Sequence, residues 1–358
     1  MPRDDEMLEI LKILAPGTKL REGLDNILKA KTGALVVISE AEEVMKLADG
    51  GFKIDQEFTP ASIYELAKMD GAIIVSQDLK KILMANVQLV PDHNIKTQET
   101  GTRHRTAERV AKQTNELVVC ISQRRGIITV FKGNFRYVIN ETSAVVMRAN
   151  QTLEALEKYK TVWDNMLNIL SEHEFDDIVS LETVANSIYR SEMIMRMEPE
   201  IERNIIELGD EGRLVKMQFE ELIANVESEE KKIIKDYMLV KKRSTKTEDS
   251  LLKDIRKLDK KDLINAEKII KILGYESEDN VLDLNVSPKG YRIVSKVPKM
   301  PMSIIAKMVE KFGSLQPICN ASIEELYEVE GIGEVRAKII NQSLRRLQEQ
   351  YILKGYNI

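Results

Sequence analysis

Gly101-Thr102-Arg103-His104-Arg105-Thr106-Ala107 places two guanidinium groups, an imidazole and two hydroxyls on consecutive residues from Thr102 to Thr106. Helix-forming sequence continues from Glu108 to Thr114, so the Gly-Thr pair reads as a helix start. Backbone N–H groups at such a start lack intrahelical partners, and the helix dipole adds positive potential there. Arg103 and Arg105 add planar donor forks that suit phosphate oxygens bidentately. This chemistry makes a cradle for a polyanion, most simply a nucleoside triphosphate. The same residues would also serve as a solvated basic helix start with a structural His104.

Two further stretches bear on that choice. In Met69-Asp70-Gly71-Ala72-Ile73-Ile74-Val75 a carboxylate stands just before a glycine and a buried-looking strand. An acid at a strand edge, where glycine permits close backbone approach, is placed to meet a metal-bound phosphate. The plainer alternative is an Asp70 that caps a turn. Ser122-Gln123-Arg124-Arg125-Gly126 reads as a tight basic hairpin between two strands. It would reach the same ligand, or be only a solvated turn.

The elements that must position these residues follow from periodicity. Met7–Leu14 and Leu20–Lys31 have helical apolar patterns, and Thr59-Pro60 is a hydroxyl cap followed by proline in the first turn. Gly33–Ser39, Gly71–Val75, Leu117–Ser122, Gly126–Phe131 and Phe135–Ile139 read as strands, with an apolar run at Ile82–Val90. Ala48-Asp49-Gly50-Gly51 reads as a turn leading to Phe52. Helices falling between strands predict a mixed α/β domain ending near residue 140.

From about Ser143 to Leu273 the chain turns rich in Glu, Lys, Leu, Ile and Met, with Pro199 its only proline. Long 3.6-residue patterns at Val145–Leu170, Leu181–Met197 and Ile201–Asp236 predict a helical bundle or spine. His173-Glu174-Phe175-Asp176-Asp177 resembles a metal cluster in composition but reads as a loop between helices, and Lys241-Lys242-Arg243 as a solvated loop.

The end of the chain holds the most specific local motif. Ser322 and Glu325 have capping-box spacing, Glu330-Gly331-Ile332-Gly333-Glu334 is a tight hairpin, and Val335–Gln350 is the following helix. Helix, Gly-hydrophobic-Gly, helix is the helix-hairpin-helix DNA-binding element. Its glycines, Gly331 and Gly333 around Ile332, let backbone N–H groups approach a phosphate, and Arg336 and Lys338 add charge. A weaker copy lies upstream, with Val297-Pro298-Lys299-Met300-Pro301 as hairpin and Ser303–Phe312 as second helix.

Composition narrows the classes. The 358 residues, 43% hydrophobic and 31% charged, fit a globular chain of two or three domains. No apolar run approaches the ~20 residues that span a bilayer. The first residues carry no apolar signal core, so export is not expected. Cys120 and Cys319 lie far apart in apolar contexts, which fits a reducing cytoplasm and excludes a zinc-ligand spacing. Net charge is −5, yet residues 289–358 hold eleven Lys/Arg against seven Glu, so this end is +4 and the remainder −9. A basic module on an acidic body points to a polyanion partner for that module. No Gly-x-x-x-x-Gly-Lys-Ser/Thr loop occurs, which disfavours a DNA-coupled ATPase.

Met69-Asp70-Gly71-Ala72, Gly101–Ala107 and Ser122–Gly126, in that order, resemble the diadenylate cyclase (DAC) domain. The helical middle and helix-hairpin-helix end extend the resemblance over essentially the whole chain. The resemblance implies an α/β DAC domain with a mixed sheet and flanking helices at 1–142. It also implies an all-α linker at 143–288 and an all-α tandem helix-hairpin-helix domain at 289–358. It implies condensation of two ATP into cyclic di-AMP with release of two pyrophosphates, in a homo-octamer whose DAC domains meet face to face.

By the same resemblance, Asp70 would hold Mg²⁺ or Mn²⁺ and help activate a 3′-hydroxyl. Arg103, His104 and Arg105, with Thr102 and Thr106, would hold the phosphates. Gly71, Leu89, Ser122 and Arg125 would lie around the adenine and triphosphate. Branched DNA, bound without sequence preference, would restrain the cyclase, in a cytoplasmic, nucleoid-associated protein without a membrane partner. The rival expectation is a non-enzymatic, nucleotide-sensing DNA-repair scaffold.

Overall fold

The computed structural model describes residues 4–239, 247–276 and 280–355. The chain forms two compact units, one of Met1–Gln151 with Glu200–Met217, the other of Thr152–Pro199 with Gln218–Ile358. In chain order, the first unit opens with α1 (Asp4–Ile13), α2 (Lys19–Lys29), β1 (Ala34–Ile38), α3 (Glu42–Leu47), β2 (Ala48–Asp49) and β3 (Phe52–Glu57). It continues with α4 (Pro60–Leu66), β4 (Ala72–Val75), β5 (Lys81–Leu89), α5 (Thr102–Thr114), β6 (Leu117–Ser122), β7 (Ile127–Lys132) and β8 (Phe135–Val138).

The strands form one mixed sheet in the order β2-β5-β4-β1-β6-β7-β8, with β3 also paired to β5. Strands β1 and β4 run parallel; β6 and β7 pair antiparallel with their neighbours. Every residue of β1 and β4 is buried. Their unbroken apolar sequence follows from having both faces covered. On one face Val36, Ile38, Val75, Val119 and Ile121 pack with Leu11, Leu24 and Ile63 from α1, α2 and α4. On the other, Leu35, Val37, Val118, Cys120 and Phe131 pack with Ala107, Val110 and Ala111 of α5 and Val44 of α3. The sheet therefore sits between two helical layers, and α5 rides over β6 and β7 and the edge of β1.

Strand β3 departs from the sequence reading, which stopped at a turn before Phe52. Five of its six residues are exposed, so it has no apolar alternation to read. A bulge between Lys53 and Gln56, with Asp55 at φ +46°, interrupts it further.

The helical remainder comprises α6 (Thr142–Asp176), α7 (Leu181–Met195), α8 (Glu198–Leu208), α9 (Arg213–Ile223), α10 (Val226–Tyr237) and α11 (Glu248–Arg256). Then follow α12 (Lys260–Ile264), α13 (Ala266–Leu273), α14 (Tyr291–Val294), α15 (Met302–Phe312), α16 (Leu315–Asn320), α17 (Ile323–Tyr327) and α18 (Glu334–Gly355). The expected helices are present, with two corrections. The pattern from Ile201 to Asp236 is three helices and a 3₁₀ turn at Gly209–Gly212 rather than one helix. Gly209, at φ +53°, lies so close to Pro16 that a Cβ would overlap the Pro16 carbonyl oxygen. Backbone contact with Pro16 therefore breaks the helix at a residue whose side chain is only a hydrogen.

The second correction concerns His173–Asp177, which is no loop. His173–Asp176 is the last turn of α6, with Asp177 just beyond it at φ +55°, and Glu174 and Phe175 are buried. Burial of a carboxylate there is possible because Arg292, itself fully buried, pairs with Glu174 and also donates to Ser171 Oγ at 2.8 Å. Tyr237 Oη donates to the same carboxylate at 2.8 Å. Lys241-Lys242-Arg243 lies outside the described residues. Among the described residues no helix is long and apolar enough to cross a membrane.

Candidate active site

Helix α5 begins at Thr102, so Arg103, His104 and Arg105 make up its first turn. Gly101 is the N-cap, with extended backbone (φ −81°, ψ 142°) and no side chain to cover the first N–H groups. They stay open to an incoming anion. Thr102 and Arg105 are exposed and Thr106 half-buried. Arg103 turns back across the start of β1: a Cβ on Gly33 would overlap its Nη1. From there Nη2 stands 3.7 Å from Asp70 Oδ1.

Asp70 stands in the turn between α4 and β4 with its carboxylate wholly in solvent. Gly71 beside it has φ +94°, and an added Cβ would lie 2.8 Å from backbone atoms of Asn86 and Val87. The turn thus hugs β5 where Asn86, at φ +54°, bulges out of register. Only glycine combines that backbone with that approach, which fixes where the carboxylate emerges.

His104 does not face the solvent with its neighbours. It is buried, with Nδ1 3.3 Å from Cys120 Sγ and its ring edge-on to Phe131 at 6.4 Å between centroids. Burial, and then the cations of Arg125, Arg136 and Arg103, lower its pKa against the opposing pull of Glu99. Burial pushes the Cys120 thiol up to about 12. The pair is neutral at pH 7: the thiol can donate to Nδ1, leaving a hydrogen on Nε2, a buried atom without a partner among the described residues. A neutral imidazole anchors the first turn of α5 to the sheet rather than adding a third charge.

The long connection from Val90 to Gly101 is pinned to α5 by side chains of that helix. Glu108 accepts from Thr97 Oγ1, from the Gln98 N–H at 3.1 Å and from Lys112 Nζ at 2.7 Å. Arg109 donates to the carbonyls of Ile95 and His93, and Gln113 accepts from the Asp92 N–H. Burial raises the pKa of Glu108, but Lys112 and Thr97 outweigh it, and the carboxyl stays below its usual range. These side chains were missed in the sequence because they look like an ordinary solvated helix face.

Ser122 closes β6, and its hydroxyl accepts from the Arg125 N–H at 3.2 Å in the predicted β6–β7 hairpin. Arg124 and Arg125 are exposed. Asp70, Gly71, Arg103 and the α5 start are brought together, and Arg125 acts on His104 from the hairpin side. Leu89, on β5 two residues beyond the Val87 that Gly71 approaches, is buried in one cluster with Val44 and Val110.

The donor set fits a divalent cation that the protein holds only in part. Among the described residues no group of three or more His, Cys, Asp or Glu could hold a metal. A lone exposed carboxylate suits a cation carried mainly by substrate phosphates, as Mg²⁺ commonly is.

At the other end of the chain, Ser322 and Glu325 form the predicted capping box. Gly331 takes φ +92°, Gly333 is the N-cap of α18, and Arg336 Nη1 donates to the Gly331 carbonyl at 2.6 Å. Ile332 is buried, and Lys338 is exposed and paired with Glu334. The upstream hairpin matches this one at a spacing of 32 residues: Val297 with Val329, Met300 with Ile332, Ile305 with Ala337, Met308 with Ile340. Lys299, the counterpart of Gly331, holds φ +59°. A lysine therefore adopts the left-handed conformation that glycine adopts in the second copy.

Residues 21–135 match the family model for the DisA bacterial checkpoint controller nucleotide-binding (DAC) region, and residues 139–282 match the model for the DisA linker region. The chain is 54% identical over 351 residues to the DNA integrity scanning protein DisA of Acetivibrio thermocellus, covering 98% of this chain and 97% of that protein. It is 53% identical over 348 residues to the DisA of Carboxydothermus hydrogenoformans, covering 97% and 98% respectively. The solved structure of DacA from Staphylococcus aureus aligns with 39% of this chain and 90% of its own length, at 21% identity and a TM-score of 0.29.

Proposed function

Because the chain belongs to the DisA family, we propose that it joins two ATP molecules across a face-to-face interface between DAC domains. It is a diadenylate cyclase, a nucleotidyltransferase. Each 3′-hydroxyl oxygen, giving up its proton to water, forms a bond to the α-phosphorus of the other ATP. The bond from that phosphorus to the bridging oxygen breaks, pyrophosphate leaves, and two such steps close cyclic di-AMP. Neither half-site reacts alone, since each nucleotide supplies the other's nucleophile.

Such chemistry asks the protein for positioning and charge rather than covalent help. The observation that carries the reading is the Asp70 carboxylate 3.7 Å from the Arg103 guanidinium, beside the uncapped start of α5. Asp70 orients a 3′-hydroxyl, while Arg103, Arg105, Thr102 and Thr106 hold phosphate oxygens. His104 acts through the ring packing that sets the α5 start, and Ser122 and Arg125 border the triphosphate. Gly71 and Leu89 lie around the adenine. Mg²⁺ or Mn²⁺ held by Asp70 and the phosphates would neutralise charge and favour the alkoxide form of the hydroxyl.

The three-part division at 1–142, 143–288 and 289–358 completes the reading, with a homo-octamer apposing the DAC domains. The tandem helix-hairpin-helix end binds branched DNA through Gly331, Ile332, Gly333, Arg336 and Lys338, and bound DNA restrains synthesis. A cytoplasmic, nucleoid-associated location follows from that partner. The direct test is incubation with ATP and Mg²⁺ or Mn²⁺, with products read by mass spectrometry. Cyclic di-AMP and two pyrophosphates are expected; released ADP, or ATP left intact by the folded assembly, would contradict it.

A further inference from the structure

Arg136 is absent from the residues that the sequence singled out, yet its strand register carries it to the same face. It lies on β8, the end strand of the sheet, directly opposite Phe131 of β7. Directly paired residues of an antiparallel ladder share one face. Phe131 packs toward α5 and meets the His104 ring, so Arg136 rises on the α5 side at the open edge of the sheet. There a cleft of about 570 Å³ is lined by Glu99, Thr100, Lys112, Arg125 and Arg136, among others.

The charges of this cleft are unevenly used. Glu108 is occupied by Lys112, Thr97 and Gln98. Arg125 has no ion-pair partner among the described residues and is exposed. Arg136 Nε donates to Glu99 Oε1 at 2.6 Å, and the two ends of that pair are unlike: the Glu99 side chain is 9% exposed, the Arg136 side chain 45%. The carboxylate is sunk and accepts from Nε alone. The Nη1 and Nη2 groups make no hydrogen bond among the described residues. Two parallel N–H donors fit two oxygens of one phosphate.

We propose that Arg136 is a phosphate-binding residue of the cyclase, which with Arg125 receives the pyrophosphate portion of ATP in the Glu99–Arg136 cleft. The proposal rests on the cyclase reading for its ligand; Glu99 occupies Nε and leaves the other guanidinium donors to the ligand. The plain alternative is that the pair only staples the connection before α5 to β8.

The two accounts part over which partner is removed. Binding of inorganic pyrophosphate to the full chain, measured by titration calorimetry, needs no turnover. Arg136→Ala is expected to weaken it about tenfold, the scale of one lost charge-assisted hydrogen-bonding group. Glu99→Ala breaks the same staple but keeps the guanidinium and removes a nearby negative charge. Its pyrophosphate affinity is expected to stay within about threefold of the parent or to tighten. Equal weakening by both substitutions, or no weakening by Arg136→Ala, would overturn the proposal. A melting curve on each variant separates loss of binding from loss of fold. Failure of the unsubstituted protein to make cyclic di-AMP would instead sink the cyclase reading and leave this comparison standing.

Discussion

Arg103 reaches Asp70 by lying across Gly33: its Nη1 fills the place where a Cβ would stand on that glycine, and its Nη2 is 3.7 Å from the Asp70 carboxylate. Three segments distant in sequence, the start of β1, the turn before β4 and the first turn of α5, meet at this point. An exposed pair at that separation adds little to stability. Its value is in the placement of a phosphate fork beside a carboxylate.

Gly33→Ala tests that placement. The clash falls on the end of a flexible side chain, with the Ile121 carbonyl oxygen next at 3.2 Å. The fold should therefore survive with a melting temperature within a few degrees of the parent, while kcat/KM for ATP falls about tenfold as the guanidinium is displaced. Unchanged kcat/KM would show that Arg103 needs no such seat.

Burial of neutral His104 carries a pH signature. Its folded pKa lies below the ordinary 6.5, so below pH 6.5 the unfolded chain takes up a proton that the folded chain refuses. Its contribution to stability is complete above about pH 6.5 and declines as pH falls toward the lowered value. The urea midpoint should drop between pH 7.5 and 5.5, and His104→Gln should flatten that drop. An identical drop in both proteins would assign it to other groups.

The sequence marks Asp70, Gly71 and the start of α5, and the structure brings these together. Asp-Gly before an apolar run and Gly-Thr before a helix are rare enough to read. Glu108, Arg109 and Lys112 were not legible, since a helix face that pins a loop looks like one that faces water. Arg136 was hidden for a related reason: on a short edge strand an arginine looks like solvent-facing alternation, and only the register opposite Phe131 reveals its side. In the upstream hairpin the glycine cue is missing because Lys299 itself takes the left-handed backbone. The end of α6 reads as a loop because His, Glu and Asp stand in a row, and the residue that neutralises Glu174, Arg292, is 118 residues away.

That buried pair should be costly to break. Arg292→Met leaves the Glu174 carboxylate buried with only Tyr237 to meet it, and should destabilise the chain by about 3–5 kcal/mol. Adding Glu174→Leu should recover a large part of the loss, since an apolar pair replaces a charge without its partner. Urea unfolding of the two variants gives the comparison. A double variant no more stable than the single one would show that the network stabilises beyond simple charge pairing.

Gly333→Asp addresses the hairpin. A side chain there meets nothing within 4 Å, so the fold has room for it. A carboxylate set where a DNA phosphate approaches should weaken binding to a four-way junction about tenfold. The melting temperature and synthesis without DNA should stay at parental values. Retained junction affinity would move the DNA site elsewhere on the basic end of the chain.

If Asp70 serves the 3′-hydroxyl within an assembled cyclase, Asp70→Asn is the decisive variant. The carboxylate is wholly exposed, so its loss spares the fold. The variant, incubated with ATP and Mg²⁺ or Mn²⁺ beside the parent, is predicted to keep the parental assembly mass and yield no cyclic di-AMP by mass spectrometry. Cyclic di-AMP at the parental rate would contradict the account and remove Asp70 from the mechanism.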